Sequence, residues 1–234
     1  MKVKFLALFL LCGAVQLPAQ VIVQQFFAIG SMPAPTADMD LPKPTTQGNV
    51  LIAMPGPTSN GVKVLSVTDN APAGSNTYKQ VPGAASSCAK TQTLDIWYCE
   101  NCNGGATELK FHLSGNARAS INVFLELSNM PQSSILDGAG AHLDDGTRSS
   151  ASLEVGPALK TTATDFVVAR YTSTNPLPTG VVPESWTYKT THVYKLNAPA
   201  GTYQPTLTGG GTAGNFCMSM AAFKTAPPAA AAAP

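Results

Sequence analysis

Four short sequence blocks of this chain occur twice in the same order. The first set comprises residues 48–53, 76–79, 97–107 and 120–127, and the second comprises residues 164–169, 186–189, 193–203 and 216–223. The spacers between the first three blocks differ in length between the two sets. A repeated order with unequal spacers is typical of a duplicated set of structural elements whose loops have diverged. We therefore predict two pseudo-repeat halves, at about residues 48–128 and 164–224.

The blocks have the pattern of β-strands. In residues 120–127 the odd-numbered positions are all apolar, whereas Asn122 and Glu126 are polar, as in a half-buried strand. Apolar Phe124 interrupts the polar side, so we expect the outer face to contact a neighbouring element. No apolar period of 3.6 residues extends over ten residues. The pattern predicts an all-β fold, an antiparallel β-sandwich of the jelly-roll or immunoglobulin-like kind, with residues 20–225 as a single domain.

The N-terminal residues 1–19 have the features of a secretory signal peptide. Lys2 and Lys4 precede the apolar run 5–17, and a small residue, Ala19, ends the segment. The apolar run of 13 residues is shorter than the roughly 20 that a membrane-spanning helix needs. A lipoprotein with a lipidated Cys12 is the alternative. Either reading predicts a secreted or cell-surface protein, and no later segment is apolar enough to predict a membrane span.

Charge and composition narrow the range of partners. Charged residues are 12% of the chain and the formal net charge is +1, so the sequence does not predict binding to nucleic acid or to an anionic membrane surface. The Pro and Gly residues lie between short β-branched and aromatic runs, where they supply turns. The tail 226–234 is rich in Ala and Pro and is predicted to be a linker or a disordered end.

Several of these segments resemble a known family. They are residues 48–54, 66–70, 76–78, 97–107, 200–203 and 221–224. Together they are similar to secreted bacterial β-sandwich domains found in adhesin-like or repeat-bearing surface proteins, a family with no settled activity. The resemblance covers nearly all of the mature chain, but its motifs belong to turns and core strands, so it implies a fold and not a site. This chain departs from the family pattern at Cys99 and Cys102.

Four cysteines remain after the signal segment: Cys88, Cys99, Cys102 and Cys217. An even number of cysteines in an exported protein predicts disulfides, for which three pairings are open. We expect Cys88 to bond Cys99 or Cys102, because the intervening loop is short. The alternative is that Cys99 and Cys102 form a redox pair or half of a zinc site. A zinc site would need further ligands, and Cys88 and His112 are the nearest in sequence.

Three aspartates form the densest group of carboxylates. They are Asp137, in a Leu-Asp-Gly segment, and Asp144 and Asp145, in a Leu-Asp-Asp-Gly segment. Calcium prefers several carboxylate oxygens from flexible loops, so these residues are candidate calcium ligands. Asp before Gly is also ordinary turn chemistry, so a purely structural role is the alternative. Other cofactors are not indicated.

Trp186 is the best single candidate for contact with a ligand. It aligns with Asn76 and so departs from the repeat, and an indole face can stack on a sugar ring. A binding role requires Trp186 to be exposed, whereas a core role requires it to be buried.

Signatures of common hydrolases are absent. No Gly-x-Ser-x-Gly or His-Glu-x-x-His motif occurs, and His112, His142 and His192 lie in different segments. We predict a non-catalytic module for extracellular attachment, surface architecture or ligand binding, with an extracellular glycan or surface protein as partner. The alternatives are a lectin-like carbohydrate-binding module and an extracellular hydrolase with an unrecognised site.

Overall fold

The computed structural model describes residues 20–59, 61–88, 92–148, 153–173, 178–183, 185–208 and 214–225. Side chains at residues 31–34, 144–148, 153–154, 173 and 214–215 are outside that description, as are the predicted signal segment with Cys12 and the tail 226–234. The described residues form β-strands and no helix, and the strands pair in antiparallel sheets. The predicted all-β, antiparallel class is thereby confirmed. None of the described residues belongs to a helix long and apolar enough to cross a membrane.

The first half of the chain contributes eight strands to this description. They are β1 (Val21–Asp40), β2 (Val50–Met54), β3 (Val64–Asp69), β4 (Lys79–Gln80), β5 (Ser86–Cys88), β6 (Gln92–Leu94), β7 (Trp97–Cys99) and β8 (Glu108–Ser128). The main sheet has the order β1-β8-β2-β7-β4, and β3 pairs with the first part of β8. Strands β5 and β6 form a separate hairpin.

The long strands β1 and β8 contribute to two layers of the first half. Their pairing shifts register on both sides of Ala34, and such bulges bend a strand. The first part of β8 contributes Phe111 and the last part contributes Phe124 to one apolar core, so the strands fold over that core. Strand β1 continues to Asp40 in spite of Pro33 and Pro35, because proline is tolerated at the bulges of an edge strand.

The second half contributes ten strands. They are β9 (Ala141–Arg148), β10 (Leu153–Val155), β11 (Leu159–Lys160), β12 (Asp165–Ser173), β13 (Gly180–Val182), β14 (Thr187–Lys189), β15 (His192–Ala198), β16 (Thr202–Tyr203), β17 (Thr206–Thr208) and β18 (Gly214–Lys224). The large sheet has the order β9-β18-β12-β15-β14, beside the smaller sheets β10-β17-β13 and β11-β16. Strand order in the two large sheets corresponds position for position.

Pairing registers extend this correspondence to single residues. Ile52 lies opposite Tyr98, and Val168 lies opposite Tyr194. On their other sides, Ile52 lies opposite Leu125 and Val168 lies opposite Ala221. Three of the four sequence blocks therefore occupy matching places in space. That the halves arose by duplication remains a prediction.

The second block is offset from our sequence alignment by two residues. Lys79 lies opposite Tyr98, and Thr187 lies opposite Tyr194. Lys79 therefore corresponds to Thr187, and the preceding residues, Tyr78 and Trp186, correspond to each other. Both segments contain the sequence Thr-Tyr-Lys, and aligning these identical residues gives a register that differs from the strand pairing in the structure.

Alternate residues of the central strands pack into different cores. Leu51 and Ala53 face the core of the first half, whereas Val50 and Ile52 pack between the halves, against Phe166 and other residues of the second large sheet. Because both faces of β2 are covered, all five of its residues are buried. The two large sheets thus pack face to face, and burying a large apolar side chain there contributes about 1.5 to 3 kcal/mol.

Candidate functional site

One hairpin distinguishes the first half from the second. Between β4 and β7 the chain forms the β5–β6 hairpin, whereas the corresponding strands β14 and β15 are separated by Thr190 and Thr191 alone. A segment present in one half only is not required by the shared sandwich architecture. The hairpin is therefore the place to look for a specialised role.

Cys88, at the end of β5, is disulfide-bonded to Cys217 in β18, and Cys99 is bonded to Cys102. Our expectation that Cys88 bonds Cys99 or Cys102 is wrong. The fold brings the Cα atoms of Cys88 and Cys217 to 5.6 Å, although 129 residues separate them, and those of Cys99 and Cys102 to 5.9 Å. A short intervening loop was a poor guide, because the sandwich packs the hairpin against the second half.

A cavity of about 440 Å³ lies between this hairpin and strand β3. We call it the hairpin pocket. Its apolar lining includes Val64, Leu65 and Ala85, and its polar lining includes Lys63, Gln80 and Asp95. Leu65 keeps 61% of its surface exposed and so can contact a ligand. A cavity of this volume lies within the range that is typical of small-molecule sites.

Asp95 is the buried charged group of the hairpin pocket, at 2% exposure. Its carboxylate accepts hydrogen bonds from Gln80 Nε2 at 2.7 Å, from Trp97 Nε1 at 2.9 Å and from the Ile96 backbone N–H at 2.9 Å. Burial raises the pKa of Asp95 to about 6, against the opposing effect of these three donors. Because Trp97 belongs to the core of the first half, the position of the carboxylate is fixed by core packing.

The Asp95 carboxylate has room for one more hydrogen bond. A carboxylate offers about four lone-pair directions, and the protein occupies three of them. The remaining direction can accept a hydrogen bond from a ligand hydroxyl or ammonium group. Leu65 and Ala85, which are exposed, offer apolar contact to the carbon skeleton of the same ligand. A sequence signal for this site exists: Asp95 is a single carboxylate inside the apolar run Leu94-Asp-Ile-Trp97. Our sequence reading missed it.

Trp186 lies elsewhere and is buried. Its exposed fraction is 6%, and its ring meets Tyr203 edge to face at 6.2 Å between centroids, in the core of the second half. The exposure that a sugar-stacking role requires is not present. Its apparent departure from the repeat disappears in the structure, because Trp186 corresponds to the equally buried Tyr78.

The three candidate calcium ligands are in different surroundings. Asp137 is buried and accepts hydrogen bonds from the backbone N–H groups of Thr162 and Ala163 and from the Thr162 hydroxyl. Asp144 and Asp145 lie in β9, paired with β18, and not in the turn that we expected. Their side chains are outside the described part of the structure. No group of three metal-binding side chains occurs among the described residues, and calcium binding stays a prediction.

A second carboxyl group beside Asp137 was not anticipated. Asp165 is fully buried, and neither of its oxygens receives a hydrogen bond from a donor in the described residues. Burial, together with the negative charge of Asp137, raises the pKa of Asp165 to about 7. Two carboxyl groups can hydrogen-bond to each other when one of them is protonated. A protonated Asp165 would therefore donate a hydrogen bond to the Asp137 carboxylate.

The three histidines have separate surroundings. His112 contacts the Thr68 hydroxyl at 3.0 Å, and His142 Nδ1 lies 2.9 Å from the Gly83 carbonyl oxygen. His192 is buried in the second large sheet beside Arg170. Because Cys99 and Cys102 are bonded to each other, their sulfurs are not thiolate ligands for zinc.

Comparisons with known proteins give no assignment. The chain matches no protein-family model, no curated protein and no solved structure.

Proposed function

We propose that this chain is a non-catalytic, ligand-binding β-sandwich module that acts outside the cytoplasm, and that the hairpin pocket binds its ligand. One observation carries the proposal. The hairpin that the second half lacks encloses a cavity of about 440 Å³, and a buried, positioned carboxylate, Asp95, lines that cavity. The lectin-like alternative is the specific form that we favour.

The chemistry of the lining supports a carbohydrate ligand. Asp95 can accept a hydrogen bond from a sugar hydroxyl, while Leu65 and Ala85 can contact the apolar face of a sugar ring. Charge-assisted hydrogen bonds to a carboxylate are the stronger kind and give orientation. An extracellular glycan is therefore the proposed partner.

The lining also supports binding over hydrolysis. Most glycoside hydrolases use a pair of carboxyl groups on opposite sides of the scissile bond. Among the described residues that line the hairpin pocket, Asp95 is the one carboxylic acid. A single carboxyl group suits hydrogen bonding to a bound sugar more than glycosidic bond cleavage.

Location outside the cytoplasm rests on two features. Both disulfides of the structure require an oxidising compartment in most organisms, and residues 1–19 carry the predicted signal segment. A role as an adhesin-like bacterial surface protein follows from the family resemblance and belongs to this proposal.

A glycan array followed by calorimetry tests the proposal. We expect the mature protein to bind a defined set of neutral glycans on the array. In calorimetry, Asp95→Asn should weaken binding about tenfold, since a hydrogen bond to a charged group contributes roughly 1.5 to 3 kcal/mol. Leu65→Ala should also weaken binding. Leu196→Ala, which alters an exposed leucine of the second half, is the matched control.

Two outcomes would overturn the proposal. One is that no glycan is retained by the folded protein. The other is that Asp95→Asn and Leu65→Ala bind as tightly as the unaltered protein, since the ligand would then lie outside the hairpin pocket. Turnover of a retained glycan would instead favour the hydrolase alternative.

A further inference from the structure

The two large sheets end in four outer strands, and β1 differs from the other three. Strands β4 and β14 are two and three residues long and carry Lys79 and Lys189, and β9 carries Asp144 and Asp145. Natural proteins protect the outer edge of a sheet by short strands, charged residues, proline or bulges, because an unprotected edge pairs with other chains. Strand β1 is 20 residues long, and its first charged residue is Asp38. Its edge is therefore the least protected of the four.

One part of β1, residues 24–31, has none of these protective features. Its pairing with residues 119–126 of β8 is regular, with register shifts before and after it. Pro33 and Pro35 follow, and proline cannot donate to a further strand. Every second residue of an outer strand directs its N–H and C=O groups away from the strand it pairs with. Residues 24–31 therefore present a row of backbone donors and acceptors, and no strand of the described residues pairs with them on that side.

Two large apolar side chains project from this segment into solvent. Phe27 keeps 50% of its surface exposed, and Ile29 keeps 66%. Both belong to the face turned toward the second half, because Phe27 lies opposite Val123, which packs between the halves. The turn between β14 and β15 lies near Phe27 but leaves half of that side chain uncovered. The apolar layer between the halves thus extends past the second sheet and ends in solvent.

We propose that β1 pairs antiparallel with β1 of a second copy of this chain, about a two-fold axis beside Ala28. Pairing of a strand edge with itself is isologous and closes as a dimer. In this register Phe27 of each copy lies opposite Ile29 of the other, so the two exposed apolar side chains cover each other. On the opposite face Phe26 lies opposite Gly30, where the space is open. This inference is independent of the hairpin pocket.

Charge favours a second copy as the occupant of this edge. No acidic or basic residue occurs from residue 21 to residue 37, so two copies of the edge meet without repulsion between like charges. A charged strand of another protein would instead bring its charges next to Phe27 and Ile29 without a counter-charge. An antiparallel copy supplies a strand with the same length, the same regular pairing and the same apolar face.

The size of the interface predicts a weak dimer. Residues 24–31 span about 27 Å at about 3.4 Å per residue, and the edge is one sheet thick. Stable protein interfaces bury about 1,200 to 2,000 Å² in total, and smaller ones belong to transient complexes. A single pair of strand edges lies below that range. We therefore expect reversible dimerisation, with a dissociation constant of roughly 10 to 100 µM.

Sedimentation equilibrium of the full mature protein, from about 1 µM to about 1 mM, tests the proposal. We expect monomer and dimer without larger species, because two-fold pairing uses the free edge of both copies. Ile29→Lys and Phe27→Lys should each weaken the dimer about a hundredfold, because each substitution occurs twice in the interface. Both positions are exposed in the single chain, so the variants should keep its melting temperature. Leu196→Lys, at an exposed leucine of the second large sheet, is the matched control.

Hydrogen exchange locates the interface. At concentrations where the dimer forms, the outward N–H groups of residues 24–31 should exchange more slowly than in the dilute protein. In Ile29→Lys this difference between the two concentrations should disappear.

Three results in sedimentation would contradict the proposal. They are a monomer at about 1 mM, growth beyond the dimer, and a dimer that Ile29→Lys and Phe27→Lys weaken no more than Leu196→Lys does. A dimer in which residues 24–31 exchange as fast as in the dilute protein would also overturn it, since the interface would then lie elsewhere.

Discussion

Cys88 in the inserted hairpin is covalently bonded to Cys217 in β18, so one wall of the hairpin pocket is attached to the second half of the molecule. Ser86 and Ser87, which also line the pocket, belong to the same strand as Cys88. The hairpin is thereby held by a link that the sandwich itself does not need. A fixed hairpin keeps the cavity formed before a ligand arrives, which reduces the entropic cost of binding.

The two disulfides should contribute unequally to stability. A bridge stabilises mainly by restricting the unfolded chain, and the effect grows with loop length. We expect replacing Cys88 and Cys217 together by Ala to cost up to about 5 kcal/mol, and replacing Cys99 and Cys102 together by Ala to cost about 2 kcal/mol. Urea unfolding of the two variants measures both values. Equal losses would contradict the entropic account, and free thiols in the exported protein would contradict the pairing itself.

Asp165 should make the stability of the protein depend on pH. Its pKa in the folded protein is about 7, compared with 3.8 for an ordinary aspartate, so the folded state binds the proton more tightly than the unfolded state. The stabilising effect of that proton is complete below about pH 4, falls as pH rises toward 7 and is absent above it. Its size is at most about 4 kcal/mol.

Asp165→Asn tests this pH dependence. An amide can donate to Asp137 at any pH, so the variant should be more stable than the unaltered protein at pH 8 and should lack the loss between pH 4 and 7. Asp137, Thr161 and Lys224 also act on Asp165 and remain unchanged. Chemical unfolding at a series of pH values gives the difference, and parallel curves for the two proteins would count against a raised pKa.

Trp186 should behave as a core residue. Trp186→Ala removes a buried ring that contacts Tyr203, and large-to-small core changes of this kind cost about 3 to 5 kcal/mol. A large drop in melting temperature is expected, with a smaller drop for Trp186→Phe. Leu196→Ala, at an exposed position, should change stability by less than about 0.5 kcal/mol. An unchanged melting temperature for Trp186→Ala would contradict the buried assignment.

The central strands could be predicted from sequence because burial dictates their composition. Strand β2 is buried on both faces, and its residues form a continuous apolar run. Strand β9 could not be predicted in the same way. Asp144 and Asp145 precede Gly146, a combination typical of turns, but pairing with β18 makes the segment a strand. Tertiary pairing there overrides local preference.

The site was harder to predict than the fold. The importance of Asp95 depends on a hairpin that folds over β3 and on donors from Gln80 and Trp97, and neither is visible as spacing in the sequence. Disulfide pairing failed for a related reason, since Cys217 approaches Cys88 only after the halves pack together. Trp186 became a candidate because the sequence alignment was offset by two residues. The offset is visible only in the pairing registers of the strands.

The central claim is tested most directly by NMR. The mature protein is titrated with a glycan to which it bound on the array, and the changes in its amide chemical shifts are mapped. A ligand in the hairpin pocket should shift the amides of Leu65, Gln80 and Asp95 in proportion to its occupancy, and Asp95→Asn should reduce the affinity derived from those shifts about tenfold. Shifts confined to other parts of the molecule, or an affinity unchanged in Asp95→Asn, would contradict the assignment of the hairpin pocket as the binding site.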